Sequence, residues 1–295
     1  MWWISIFYSL CSLCSFYVVC AKDYDPHQSL VNVWLSGAAY CDKKDYPKMV
    51  VAGPAYGFVY KYTIYDTKTD LQGVVGIIHR EKRIYVAYRG TSSYSNWMSD
   101  LEVKQIPYAT YPDCNCKIHT GFYQSALNVK SQTVDALMAL TKKYPNYSVV
   151  ITGHSYGAAV AQIMAMELLT LDYEVDVYNY GQPRVGNQKY ADFVNVKLNS
   201  YWRFTHNRDI VPHLPPTEGF DYYHSCGEVF ENEKHQLKMC SETVCEDPQC
   251  ADNYPLKDTT VNDHYYYLNH RVQCNESTVE PFTLFQMLFI PMVGF

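Results

Sequence analysis

Concentrated positive charge is the first thing this sequence lacks. Lys and Arg number 24 against 30 Asp and Glu, a net charge of −6, and no basic run occurs anywhere. A nucleic-acid binder needs clustered cations to displace condensed counterions, so that class is excluded. A Gly-rich phosphate loop is also missing, and no repeat of 20–50 residues is visible. Nucleotide-binding and solenoid architectures go with them. Disorder is excluded too, because 48% of the chain is hydrophobic and only 18% charged. What is present in excess is tyrosine, with 29 in 295 residues, which points to a contact-rich surface on a globular body.

Charge is absent from the first 20 residues as well, and Lys22 is the first ionised side chain. With small residues at Val19 and Ala21, the run reads as a secretory signal peptide over 1–21, cleaved after Ala21. An extracellular location follows. Residues 282–295 are apolar but interrupted by Pro291, and are expected to pack on the protein or against lipid. Beyond the leader stand eight cysteines: Cys41, Cys114, Cys116, Cys226, Cys240, Cys245, Cys250 and Cys274. An even number in a secreted chain suggests disulfides. No CxxC pair occurs among the eight, so zinc held by Cys240, Cys245, Cys250 and His235 is not expected. Asn146-Tyr-Ser and Asn275-Glu-Ser fit the glycosylation acceptor pattern.

Runs rich in Val, Ile and Tyr at 58–65, 74–79, 84–88, 149–152, 175–180 and 201–205 predict strands. Tyr123, Leu127, Val134, Leu137 and Met138 recur at helical spacing, and 156–171 is apolar nearly all round, as a buried helix is. The first strands follow one another directly, and the later ones alternate with helices. The expectation is an α/β fold of one domain over 22–295, its mixed, mostly parallel sheet flanked by helices. The Cys-rich stretch 226–262 reads as an irregular excursion from it.

The strand at 149–152 runs into Gly153-His154-Ser155-Tyr156-Gly157, where the buried helix begins. This is G-x-S-x-G in its required setting of strand, sharp turn and helix. It makes Ser155 a candidate nucleophile, placed at a helix N-terminus whose partial positive charge favours a developing oxyanion. A serine hydroxyl needs a histidine base, itself oriented by a carboxylate. Downstream lie Asp172, Asp176, Asp192, Asp209, Asp221 and Asp263, with His206, His213, His224, His235, His264 and His270. Asp209 follows a strand at the edge of the sheet where a site should lie, but spacing does not choose among the histidines.

Several ordered blocks resemble the class 3 lipases, the family of fungal secreted triacylglycerol lipases and feruloyl esterases. They are Tyr-Arg-Gly-Thr-Ser at 88–92, Asn-Trp at 96–97, His-Thr-Gly-Phe at 119–122 and the serine motif at 153–157. Tyr-Gly-Gln-Pro-Arg-Val-Gly-Asn at 180–187, Asp-Ile-Val-Pro-His-Leu-Pro at 209–215 and Asp263-His264 complete the set. The resemblance implies an α/β-hydrolase fold with Ser155 as nucleophile, Asp209 as orienting acid and His264 as general acid/base. It implies an oxyanion hole from Thr91 and the backbone N–H of Tyr156, the Thr91 hydroxyl being aimed by Asp100. His213 and His224 become scaffold positions, and Cys41 is expected to pair with Cys274 and Cys245 with Cys250. Cys114 and Cys116 stand too close for an easy bridge to each other and are left open.

The segment near 92–102 resembles the lipase lid. Tyr94, Trp97, Met98 and Leu101 fall on one helical stripe, which would cover Ser155 in water and meet acyl chains at a lipid surface. The resemblance therefore implies a secreted carboxylic-ester hydrolase, foremost a triacylglycerol lipase acting at lipid–water interfaces through an acyl-enzyme. Feruloyl esterase and phospholipase A1 activities of the same family are the alternatives. A non-catalytic lipid-binding or interaction protein on the same fold is the reading from another class. No metal, organic cofactor or obligate protein partner is implied.

Overall fold

The computed structural model describes residues 24–91 and 102–274. The leader, the apolar C-terminal segment, Asp100 and the stripe Tyr94, Trp97, Met98 and Leu101 lie outside those residues.

Helix α1 (Pro26–Ala38) is the first described element, with Asp25 accepting from the backbone N–H groups of His27 and Gln28. Strands β1 (Phe58–Asp66), β2 (Leu71–Ile78) and β3 (Arg83–Tyr88) form an antiparallel meander. The short pair β4 (Gln105–Pro107) and β5 (Lys117–His119) leads into α2 (Thr120–Lys143). Then strands and helices alternate: β6 (Ser148–His154), α3 (Tyr156–Leu169), β7 (Val175–Tyr180), α4 (Gln188–Lys197) and β8 (Tyr201–His206). Strands β9 (Glu228–Glu231) and β10 (Leu237–Met239) follow, and the small hairpin of β11 (Tyr266–Tyr267) and β12 (His270–Arg271) ends the described elements.

Eight strands make one sheet in the order β1-β2-β3-β6-β7-β8-β9-β10, parallel from β3 through β9 and antiparallel at both ends. All six expected strands are there, in the mixed sheet of an α/β-hydrolase. Period-two alternation divides their side chains between two cores. Ile84, Val86 and Tyr88 face α2 and α3, while Tyr85 and Ala87 face α1. Both faces of the central strands are thus covered, as a parallel sheet requires.

Four expectations need correction. The stretch at 226–262 is not wholly irregular: it supplies β9 and β10, which extend the main sheet. Cys41 does pair with Cys274, but Cys245 pairs with Cys226 and Cys250 with Cys240. Cys114 and Cys116 are bridged to each other. Tyrosine, read as a surface residue, fills much of the interior instead: Tyr46, Tyr85, Tyr88, Tyr108, Tyr178 and Tyr180 are among the largest fully buried side chains. Helix α2 is where its periodicity put it, yet Leu127 and Met138 are exposed. Its buried face relies on small residues (Ser125, Ala126, Thr133, Ala136) that let the helix approach the sheet.

Two arginines fasten the Cys-rich stretch to the sheet. Buried Arg203 on β8 donates to Glu228 Oε2 at 2.9 Å and to the Cys245 carbonyl at 2.8 Å. Arg184 grips Glu246 with two parallel bonds of 2.9 and 2.8 Å, and its guanidinium lies 3.5 Å from Asp252. Burial, and then the charge of Glu246, push the Asp252 carboxyl up to about 7, with His213 Nδ1 3.7 Å from the same oxygen that faces Arg184. A carboxyl raised on folding binds a proton that the unfolded chain has already released. Its contribution to stability is therefore complete below the ordinary value near 3.8 and declines as pH rises towards about 7. Asp252→Asn, which cannot titrate, is expected to gain stability relative to the parent as pH rises through that window. Urea unfolding of both proteins at about pH 5 and about pH 8 checks this. A difference that does not grow with pH would contradict it.

Candidate active site

The candidate nucleophile sits at a backbone position that side chains disfavour. Ser155 joins β6 to α3 with φ 59° and ψ −129°, outside the regions that L-residues occupy freely. Its N–H donates to the Tyr180 carbonyl at the end of β7 (2.9 Å), and its carbonyl accepts from Ala158 N at 2.9 Å. The flanking glycines are steric necessities. A β-carbon on Gly153 would lie 2.4 Å from the Gly157 backbone, and one on Gly157 would lie 2.3 Å from the Tyr88 carbonyl oxygen. Packing this close lifts Ser155 off the sheet and presses the turn against the end of β3. The Ser155 hydroxyl oxygen is buried, and no hydrogen-bond partner reaches it among the described residues.

Candidate base and acid arrive from separate loops at that same end of the sheet. Asp209 follows β8 in a turn where its N–H donates to the His206 carbonyl at 2.8 Å. His264 lies in the turn before β11. His264 Nδ1 stands 2.7 Å from Asp209 Oδ2, and both side chains are buried. A carboxylate can only accept, so Nδ1 carries the proton and Nε2 of the neutral ring holds the lone pair. Asp209 also accepts from the Val211 N–H at 2.8 Å and from the Tyr267 hydroxyl. Burial, then the charge of Asp209, raise the Tyr267 phenol well above its ordinary value, so it remains a donor.

His154 completes the enclosure. Its ring lies against that of His264, with centroids 4.4 Å apart. Its Nε2 is 2.8 Å from the His264 carbonyl and its Nδ1 2.8 Å from the Tyr40 hydroxyl. The carbonyl accepts only, so Nε2 is the protonated nitrogen and Nδ1 accepts from Tyr40. Burial, then the neighbouring His264, push the His154 pKa well below its ordinary value. A neutral His154 spares His264 a like charge at the moment it would become an imidazolium. Gly181, at φ 56°, makes room for the same ring: a β-carbon there would come within 2.7 Å of His264 Cε1.

Thr91 is half-buried at the end of the β3 segment. A β-carbon on the preceding Gly90 would lie 2.9 Å from Ser155 Cβ, which brings this segment alongside the nucleophile. Tyr156 is the first residue of α3, where a backbone N–H has no acceptor within its own helix. These are the two expected oxyanion donors. Other candidates from the sequence serve elsewhere. Asp263 accepts from Asn207 Nδ2 and Arg208 N, Asp176 pairs with Arg83, and His224 Nε2 lies 2.7 Å from the Pro212 carbonyl. His119, from the 119–122 block, caps α2 by accepting from Phe122 N at 3.2 Å. Tyr267 and Tyr40 were not singled out from the sequence, since a tyrosine outside a motif announces no chemistry, and Gly181 stood in the 180–187 block with no role given to it. Among the described residues, two groups have donor atoms close enough to share a metal ion. One includes Cys240 and Cys250, already joined as a disulfide; the other is His206, Glu231 and His235.

Comparisons with known proteins bear on the family and the fold. A family model described as Lipase (class 3) matches residues 85–219. The chain is 34% identical over 211 residues to a lipase of Rhizomucor miehei, across 69% of this chain and 56% of that protein. It is 33% identical to the secreted mono- and diacylglycerol lipase 1 of Fusarium solani, across 66% of this chain and 55% of that one. It therefore spans a little over half the length of these curated relatives. A solved triacylglycerol lipase, described as having a serine protease triad at its catalytic centre, superposes with a TM-score of 0.76 at 30% identity, over 83% of this chain and 94% of that one. The native Rhizomucor miehei lipase–propeptide complex does so with a TM-score of 0.75 at 28% identity, over 84% and 81%. With its fold, its ordered motifs and these similarities all in accord, the chain belongs to the class 3 lipase family.

Proposed function

We propose that this protein is a secreted serine carboxylic-ester hydrolase that cleaves acylglycerols at lipid–water interfaces. The observation that carries the reading is the His264–Asp209 pair, which leaves His264 Nε2 as proton acceptor beside the turn that bears Ser155. Ser155 Oγ attacks the ester carbonyl as His264 takes its proton. The tetrahedral oxyanion is met by Thr91 and the Tyr156 N–H. His264 returns the proton to the departing alcohol, and water then resolves the acyl-enzyme by the same steps in reverse order of roles. Asp209 holds the imidazole in the required tautomer and stabilises its charged form without taking the proton itself. Asp100 is proposed to aim the Thr91 hydroxyl. The stripe of Tyr94, Trp97, Met98 and Leu101 is proposed to bind lipid, since burying such a face supplies the free energy that opening a cover requires.

Covalent labelling with an organophosphonate tests the reaction directly. The parent chain is expected to label stoichiometrically, and Ser155→Ala not at all. Asp209→Asn is expected to lower kcat about 10⁴-fold on a short-chain glyceride. Labelling retained in Ser155→Ala would remove the proposed nucleophile. The substrate class is read from rates on tri-, di- and monoacylglycerols, phosphatidylcholine and methyl ferulate, with the acylglycerols expected to lead. A rise in rate at the solubility limit, lost in Trp97→Ser, is the expected sign of the lipid-binding stripe.

A further inference from the structure

We propose that His206, Glu231 and His235 form a binding site for one divalent transition-metal cation of the zinc type, set behind the segment that carries His264. Parallel pairing of β8 with β9 places His206 directly beside Glu231 at the ends of their strands, and both side chains are buried. His235 comes from the turn between β9 and β10, and its side chain is 45% exposed. Donor atoms of the three lie within 4.8 Å of one another.

The surroundings prepare each residue for a cation. His206 Nδ1 lies 2.9 Å from the Asp263 carbonyl, so that nitrogen carries the proton and Nε2 keeps the lone pair. A backbone carbonyl behind an imidazole is the support that fixes metal-binding histidines. Glu231 is a buried carboxylate, and among the described residues its one ion-pair partner is His235, at 2.7 Å. It also accepts from the Leu268 and Asn269 N–H groups, at 2.6 and 3.3 Å. These hydrogen bonds satisfy the carboxylate oxygens, but among the described residues no Lys or Arg pairs with its charge, which a cation held by the two imidazoles would neutralise.

His235 has φ 58°, a left-handed position in the turn that histidine adopts more readily than most residues. Its ring is nearly parallel to that of His206, 14° apart at a centroid distance of 6.0 Å. Bond lengths near 2.0–2.1 Å call for the three donors to draw closer, and the exposed hairpin turn is the part that can move. Two imidazoles and one carboxylate suit zinc, nickel or copper over calcium or magnesium, and they leave a coordination position for water on the side where His235 is exposed. The bound cation would neutralise Glu231 and fasten both flanks of His264, through Asp263 on one side and Leu268 and Asn269 on the other.

The test uses the folded full chain without a polyhistidine tag, first stripped with chelator. Zn²⁺ is titrated by calorimetry and Co²⁺ by visible absorption. One equivalent is expected to bind, with the cobalt bands of a nitrogen–oxygen site. Tm is expected to rise by about 5 °C at a hundredfold excess over Kd. His206→Gln and His235→Ala are each expected to weaken binding at least tenfold. His235→Ala also takes from buried Glu231 its ion-pair partner, so the control is the metal response itself: the Tm rise on adding Zn²⁺, measured against each protein's own value in chelator, is expected in the parent and absent in the variant. Absence of a stoichiometric site in the parent, or parent-like affinity in His235→Ala, would overturn the proposal.

Discussion

A single positive φ angle at Ser155 sets the terms for the rest of the site. A side chain held in that conformation costs roughly 1–3 kcal/mol, so it persists only where its surroundings leave no alternative. Here the surroundings are backbone. The Gly153–Gly157 contact and the approach of Gly157 to the Tyr88 and Arg89 carbonyls leave no space for a β-carbon, while Ser155 N is tied to the Tyr180 carbonyl. The same closeness recurs at Gly90 against Ser155 and at Gly181 against His264. Four absent methyl groups thus define a small volume into which the ends of β3, β6 and β7 and the His264 turn converge.

Inside that volume the problem is polar rather than steric. Histidines, a carboxylate and phenols are buried together, and each needs a partner or must surrender its charge. The fold answers with fixed protonation states. His154 is held neutral between Tyr40 and a carbonyl, Tyr267 is held as a donor to Asp209, and Asp209 accepts from three groups at once. Similar use of tyrosine runs through the core. The Tyr46 hydroxyl donates to the Ala39 carbonyl, that of Tyr180 to the Ser29 carbonyl and that of Tyr108 to Glu167. The abundance of tyrosine reflects large side chains that fill the interior, several of them placing a hydroxyl donor on a buried acceptor.

Much of this was legible in the sequence, for identifiable reasons. Strands buried on both faces appear as unbroken Val, Ile and Tyr runs, and α3, apolar all round, declared itself a buried helix. The serine turn was legible because its steric demand is local and forces glycine at fixed offsets. Choosing His264 over five other histidines was not possible from spacing, since it depends on which loops meet after more than a hundred residues; only the family resemblance supplied it. The hairpin of β9 and β10 went unrecognised because its strands are too short to show a period: β9 has four residues, all buried but with Glu at both ends, and β10 has three, all exposed. The Cys245–Cys250 pairing rested on the family resemblance alone, and here the chain pairs Cys226 with Cys245 and Cys240 with Cys250 instead. Helix α1 was passed over because polar residues on it, Gln28, Ser29, Asn32 and Ser36, are buried and blur its periodicity.

Gly157→Ala puts the steric origin of the serine turn to the most direct test, because it adds one methyl group and no chemistry. The added carbon meets the Tyr88 and Arg89 carbonyls at 2.3 and 2.6 Å, both backbone atoms of the sheet that cannot swing aside. Overpacking of this kind is expected to cost about 1–3 kcal/mol in denaturant unfolding. The displaced Ser155 should then react with phosphonate about a hundredfold more slowly, or worse. Parent-like stability together with a parent-like labelling rate would mean that the turn is held by something other than the close approach of these backbones.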